Sequence, residues 1–221
     1  MAWYILSSSQ VVNLNSFYVS VDSMKHDCSP GRPKGWQIDQ TRTLLTTPII
    51  QVIASKVHCD RTGSSHDFYK FAFPGWVNVV ATTTTGHLVL IRQYRFGTDR
   101  MELEIPGGAV NDGEDPLAAG LRELLEETGY SGDNSRIIGK VFPNPAIQGN
   151  FCYTVWVENV RQTAEPRQDD MEDIEVLILP RQKVESLIAE GSINHGLVLN
   201  GLMFFAMEMA KRPVTAEKYE K

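Results

Sequence analysis

Three carboxylates stand at Glu123, Glu126 and Glu127, a spacing of i, i+3 and i+4. On a helix that spacing brings them to one face, where like charges repel and cost helix stability. A cluster of hard oxygens is what Mg²⁺ or Mn²⁺ takes as ligands, and a bound cation turns the repulsion into attraction. Upstream, Pro106-Gly107-Gly108 forms a glycine loop able to expose backbone carbonyls as further oxygen ligands. Arg122 and Glu114 are spaced to pair and hold that loop against the helix. The competing reading is a solvated acidic face, a common feature of surface helices.

The helix that must carry these groups is well marked. Asp115 suits its N-cap, Pro116 its first position, and Gly129 the left-handed residue past its end. At 100° per residue, Leu117, Leu121, Leu124, Leu125 and Thr128 share an arc of ~100°, the expected buried face. The three glutamates share a second arc of ~100° on the other side. Ala119 lies in that acidic arc and leaves room there for something to approach.

Around this helix the sequence predicts strands. Residues 48–57, 67–73, 76–84, 88–94 and 101–105 are strand-like, with Gly86-His87 as a hairpin turn. Further strands are expected at 136–142, 151–160 and 174–179, and helices at 181–190 and 195–211. Trp76, Trp156, Phe204 and Phe205 read as core, and Met203, Met207 and Met209 as a core or dimer face. Mixed strands with helices at separated points indicate an α/β sandwich rather than regular βαβ repeats. Residues 1–35 are Ser- and Asn-rich and end in a Pro/Gly cluster, so they read as an N-terminal extension or arm. Residues 36–211 form the expected domain, and 212–221 a C-terminal tail.

The bulk properties exclude other chemistries. With 221 residues and 42% hydrophobic side chains the chain is long enough for a real core. A net charge of −6 argues against nucleic acid or an anionic membrane as partner, because either demands a basic face. Cys28, Cys59 and Cys152 are odd in number and widely spaced, which disfavours a disulfide framework or a zinc site. The five histidines, His195 among them, are scattered and read as structural or surface residues. The uncharged N-terminus has no basic residue before its apolar part, and 196–210 is too short to span a bilayer, so a cytoplasmic protein is expected.

Gly108, Glu114, Arg122-Glu123-Leu124, Glu126-Glu127, Gly129 and Tyr130 match the pattern G-x5-E-x7-R-E-U-x-E-E-x-G-U. The segment resembles the Nudix box, with Tyr130 where the family more often has an aliphatic residue. Seven of those positions demand one residue type each, so a chance match is of order 10⁻⁹ per starting point. The resemblance implies an α/β/α sandwich with a mixed sheet. It also implies hydrolysis of a nucleoside diphosphate linked to another group. By the same resemblance Glu123 and Glu127 are the principal metal ligands, Glu126 completes the cluster, and the Gly107 carbonyl adds a ligand. Gly108, Glu114, Arg122 and Gly129 are structural. Chemistry agrees, since metal ions neutralise a pyrophosphate, activate a bound water and stabilise the leaving phosphate.

Flanking segments narrow the substrate. Arg92-Gln93-Tyr94-Arg95 followed by Glu102-Leu103-Glu104-Ile105-Pro106-Gly107-Gly108 is similar to the ADP-ribose and nucleoside-diphosphate-sugar branch. In that branch the second arginine, here Arg95, contacts substrate phosphate; Arg92 joins it as a candidate substrate contact. Pro145 stands where the ADP-ribose subgroup has a marker proline. Among the acidic residues of 168–175, the resemblance points to Glu172 as general base, with Asp170 second; a solvated acidic loop is the alternative. Trp36 begins a region that in ADP-ribose hydrolases is often exchanged between subunits and reaches the adenine, so base stacking competes with packing. The resemblance thus implies a Mg²⁺- or Mn²⁺-dependent enzyme, homodimeric, acting on a small nucleoside diphosphate. Hydrolysis of dinucleoside polyphosphates or modified nucleoside triphosphates is the second reading. A non-catalytic ADP-ribose sensor is the third, disfavoured because every box glutamate survives.

Overall fold

The computed structural model describes residues 35–168 and 173–212. They fall into two compact units, one of residues up to Thr41 with Ser55–Phe68, the other of Arg42–Ala54 with everything from Tyr69 onward.

Strands β1 (Trp36–Thr46), β2 (Gln51–Cys59) and β3 (Ser64–Ala72) make a three-stranded sheet in that order. Within the smaller unit the Trp36 and Phe68 rings lie 5.9 Å apart, and the Thr41 and Ser55 hydroxyls 3.2 Å apart. Gly63, at φ +67°, makes the turn between β2 and β3, a left-handed conformation that glycine adopts without penalty.

The larger unit is built on a mixed eight-stranded sheet. Its strands are β4 (Gly75–Thr83), β5 (Leu88–Arg95), β6 (Arg100–Glu104), β7 (Gly107–Val110), β8 (Tyr130–Ser131), β9 (Asn134–Val141), β10 (Cys152–Gln162) and β11 (Glu175–Leu179). The main path runs β11-β5-β4-β10-β8, with β6 on β5, β7 on β4 and β9 on β10; β4 and β10 pair in parallel. Helices α1 (Pro116–Thr128), α2 (Arg181–Ala189) and α3 (Gly196–Lys211) cover its faces.

Period-2 alternation sorts the strand side chains between two cores. Val77, Val79 and Ala81 of β4, Val89 of β5, and Val155 and Val157 of β10 pack with Ala119 and Leu124 of α1. Val80, Leu88, Leu90 and Trp156 pack on the other side with Val184 of α2 and Val198, Leu202 and Phe205 of α3. Both faces of β4 and β5 are therefore covered, which is why they read as near-continuous apolar runs. This is the expected α/β/α sandwich; the expected helices and strands lie within a few residues of those observed, while β1 and β8 have no counterpart among them.

Three expectations are corrected. The segment read as a glycine loop is strand β7, paired antiparallel to β4 with Gly107 opposite Asn78 and Gly108 opposite Val77. Two glycines and an alanine carry no strand pattern, and a partner some thirty residues away is invisible to local reading. The buried face of α1 is Ala119, Gly120, Leu124, Glu127 and Thr128, while Leu121 and Leu125 are 36% and 39% exposed. The helix is turned by roughly a quarter relative to its leucine arc, because Gly120 lets the backbone settle on Val77 and Val155. Ala119, expected on the open acidic side, is fully buried. Finally, the core half of the core-or-dimer-face reading is corrected for Met203 and Met207, which are 49% and 53% exposed, while Met209 packs on the α2–α3 core.

Candidate active site

Helix α1 is held at both ends as its sequence dictates. The Asp115 carboxylate accepts from the N–H groups of Leu117 and Ala118 at 3.0 and 3.1 Å, and Gly129, at φ +74°, donates to the Leu125 carbonyl at 2.8 Å. These caps fix where the helix begins and ends, while the packing of Gly120 on Val77 and Val155 sets the azimuth at which the glutamates leave it.

Arg122 organises the acidic face. Its guanidinium donates to both Glu114 oxygens at 2.9 and 3.0 Å, to Glu123 at 2.8 Å, to Glu126 at 3.0 Å and to the Ala109 carbonyl at 3.0 Å. Glu114 also accepts from the Asn111 N–H at 2.9 Å, so one arginine–glutamate pair ties the β7–α1 loop to the helix. Those donors, Arg122 first, hold the Glu114 carboxyl down at about 2. The same hydrogen bonds, that to Glu114 foremost, raise the already high pKa of Arg122.

The carboxylates differ in setting. Glu127 is 4% exposed and accepts from the Gly107 N–H at 2.9 Å. Glu123 lies over Gly108 so closely that a Cβ there would sit 2.5 Å from its carboxyl carbon. Glu126 points furthest into solvent. All three line one polar cavity of about 210 Å³ with Gly107, Gly108 and Arg95. Gln93, Ala109, Arg122 and Arg167 complete its wall.

Strand parity decides the two arginines of β5. Val89, Gln93 and Arg95 face the α1 side, so Arg95 reaches the cavity. Arg92 points the other way, is exposed, and pairs with Glu175 directly opposite on β11. The structure therefore separates the two candidate substrate contacts. Arg95 is itself oriented by a buried carboxylate, donating to Glu104 from Nε at 3.1 Å and Nη2 at 2.6 Å. His195 Nδ1 lies 3.1 Å from the same carboxylate. Burial would push Glu104 up, but the bonds from His195 and Arg95 outweigh it and hold the carboxyl at about 2.

Pro145 is exposed on the β9–β10 connection and lines neither this cavity nor the larger one beside it. Trp36 belongs to the smaller unit, where it packs on Phe68. Asp170 and Glu172 lie outside the described residues. Sequence reasoning missed Glu104, His195 and Arg167. Arg167 lies in the segment after β10, where its backbone N–H donates to the Glu126 carbonyl at 2.7 Å. Nothing local could have flagged His195, 91 residues from its partner; for Glu104, a carboxylate between Leu103 and Ile105 in a strand was the available signal.

Among the described residues no three His, Cys, Asp or Glu side chains are already converged at metal-binding geometry. The donor types nonetheless suit Mg²⁺ or Mn²⁺, which take one or two carboxylates and complete their shell with water and substrate phosphate. Gly108 supports the same fit, since only a residue without Cβ leaves Glu123 its seat.

The NUDIX domain family model matches residues 73–198, more than half of the chain. This chain is a member of the Nudix family. Over 138 residues it is 27% identical to the ADP-ribose pyrophosphatase of Bacillus subtilis (strain 168), covering 62% of this chain and 75% of that one. It is 37% identical over 101 residues to the ADP-sugar pyrophosphatase of Mus musculus, covering 42% of this chain and 45% of the mouse protein. The Nudix chain thus spans three quarters of one relative and less than half of the other. The crystal structure of an ADP compounds hydrolase superposes with a TM-score of 0.72 at 20% identity, over 81% of this chain and 97% of that one, which shows the shared fold. No helix among the described residues is long and apolar enough to cross a membrane.

Proposed function

We propose that this Nudix protein hydrolyses the pyrophosphate bond of ADP-ribose or a related nucleoside diphosphate sugar, giving a nucleoside monophosphate and a sugar phosphate. The observation that carries this reading is the meeting of Glu123 and Glu127 with Gly107-Gly108 and Arg95 around one cavity. The names of the similar proteins support the same substrate class.

Glu123 and Glu127 would hold Mg²⁺ or Mn²⁺, with Glu126 and the Gly107 carbonyl completing the set. When bound, the cations supply charge neutralisation and a water of lowered pKa. The chain's own residues do the positioning. The Glu127 carboxylate is oriented by the Gly107 N–H. Arg122 holds Glu123 and Glu126 side by side against their mutual repulsion. Arg95, fixed in a fork by Glu104, presents its guanidinium to a substrate phosphate. Glu172 is the general base of this reading, with Asp170 second, and Trp36 the residue that stacks on the base. A homodimer in the cytoplasm belongs to the same proposal.

The test is a panel of ADP-ribose and several nucleoside diphosphate sugars, run with Mg²⁺, with Mn²⁺ and with EDTA. Release of AMP and ribose 5-phosphate that needs the cation is expected. No cation-dependent cleavage of any member of the panel overturns the proposal.

A further inference from the structure

Two arginine–glutamate forks lie side by side on the β5–β6 hairpin. Arg95 donates to Glu104 from Nε at 3.1 Å and Nη2 at 2.6 Å, and Arg100 to Glu102 from Nε at 2.7 Å and Nη2 at 3.3 Å. The two arginines stand directly opposite in the strand pairing, where like charges repel, so each needs its own carboxylate. Both carboxylates are buried.

The connection between α2 and α3 touches both forks with successive residues. Gly191, at φ +78°, turns the chain, and Ile193 is buried in the α2–α3 core. Past that anchor Asn194 Oδ1 accepts from Arg100 Nη2 at 3.0 Å, and His195 Nδ1 lies 3.1 Å from Glu104 Oε1. The forks differ in where they lead: Arg95 lines the acidic cavity and the larger one beside it, and Arg100 lines neither.

An ionised carboxylate only accepts, so His195 Nδ1 is the donor to Glu104. His195 is the N-cap residue of α3, yet its side chain caps nothing, while Val198 and Leu202 seat that end of the helix in the core. The donor therefore comes from a fixed element behind the fork. Glu104 needs one, because the terminal torsion of a glutamate is soft. Its other neighbour, the Gln93 amide, is 3.5 Å away, at the outer limit of a hydrogen bond. Bonded to Arg95 alone, the carboxylate would swing with the guanidinium; a third point from a separate element fixes its plane. Burial pushes the Glu104 carboxyl up, and the His195 bond is foremost among those that hold it down.

We propose that His195 is a positioning residue: through Glu104 it holds the Arg95 guanidinium at the angle from which it meets a substrate phosphate, without touching substrate itself. This rests on the pyrophosphatase reading, in which Arg95 makes that contact, and adds that the α2–α3 connection sets its aim. Asn194, on the fork that reaches neither cavity, is a control within the molecule.

The experiment compares variants that keep or lose the inner nitrogen of residue 195. The amide nitrogen of asparagine branches from Cγ, as Nδ1 does, and that of glutamine lies one bond further out, as Nε2 does. His195→Ala and His195→Gln should raise KM for ADP-ribose about fivefold with kcat changed less than twofold, and His195→Asn should bring KM back to within about twofold. Rescue by glutamine and not by asparagine overturns the assignment. Asn194→Ala should leave KM unchanged, and a rise equal to that of His195→Ala overturns it. In an Arg95→Ala background His195→Ala should add less than about twofold, because its effect runs through that side chain; an undiminished rise overturns it. A readout without substrate is the Arg95 Nε–H signal in ¹⁵N spectra, identified by its loss in Arg95→Lys. It should shift and exchange faster with water in His195→Ala and stay in place in Asn194→Ala, and an unmoved signal in His195→Ala overturns the positioning role. If the unsubstituted protein cleaves no nucleoside diphosphate sugar, the pyrophosphatase reading fails by itself, and the Arg95 signal still decides the positioning.

Discussion

The N–H of Gly107 donates to the carboxylate of Glu127 across 2.9 Å, joining the last turn of the acidic helix to the first residue of β7. Glu127 is 4% exposed, so this member of the acidic face is part of the packed interior rather than of a solvated surface. That donor is a backbone amide, whose direction is fixed by the pairing of Gly107 with Asn78. The carboxylate is oriented by the sheet itself.

Glu127→Gln should therefore separate folding from chemistry. The amide oxygen can still accept from Gly107, so the melting temperature should change little, while turnover falls at least a hundredfold if Glu127 is a central metal ligand. Glu127→Ala should lose turnover and also about 1–3 kcal/mol of stability, because the Gly107 N–H is left without its acceptor. Thermal melts beside kcat for both variants check this, and wild-type turnover in Glu127→Gln would refute the ligand role.

The two glycines should respond differently to alanine. At Gly107 a Cβ would stand 2.2 Å from the Val77 carbonyl oxygen, backbone that cannot step aside, so Gly107→Ala should cost about 1–3 kcal/mol through overpacking. At Gly108 the clash is with the Glu123 carboxylate, the end of a flexible side chain. Gly108→Ala should melt near the unsubstituted protein but lose activity, as Glu123 is displaced. Denaturant titration and kcat together distinguish the two.

Arg92 and Arg95 should not be interchangeable. Arg92 pairs with Glu175 on an exposed edge, an interaction worth at most about 1 kcal/mol. Arg92→Ala should change KM for ADP-ribose less than threefold. Arg95→Ala should raise it tenfold or more, as a charge-assisted phosphate contact is lost. Equal effects would place both side chains at the substrate.

Acid should act through Glu104 and Glu114, both held at about 2. A carboxyl depressed below its unfolded value of about 4.3 contributes stability in full above that pH and loses it as pH falls toward 2. Stability should thus decline between about pH 5 and pH 2. In Glu104→Gln the decline should be shallower, because one of the most strongly depressed carboxyls is gone. Urea midpoints across that range provide the measurement, and parallel slopes would contradict it.

What the sequence alone determined is local or patterned. Asp115, Pro116 and Gly129 mark the ends of α1 because caps act within a turn, and Arg122 with Glu114 is legible because the box fixes their spacing. The alternation of Val77, Val79 and Ala81 likewise announces a strand without reference to any partner. Only the tertiary structure decided which way α1 faces: Gly120 against Val77 and Val155 outweighs the leucine stripe, so Glu127 turns inward and Leu121 outward. It alone made Gly107 and Gly108 a strand, since pairing with β4 supplies what their composition lacks. It also set Arg92 apart from Arg95, and brought His195 to Glu104 across 91 residues. Those are matters of parity and long-range contact, and no window of sequence contains both partners.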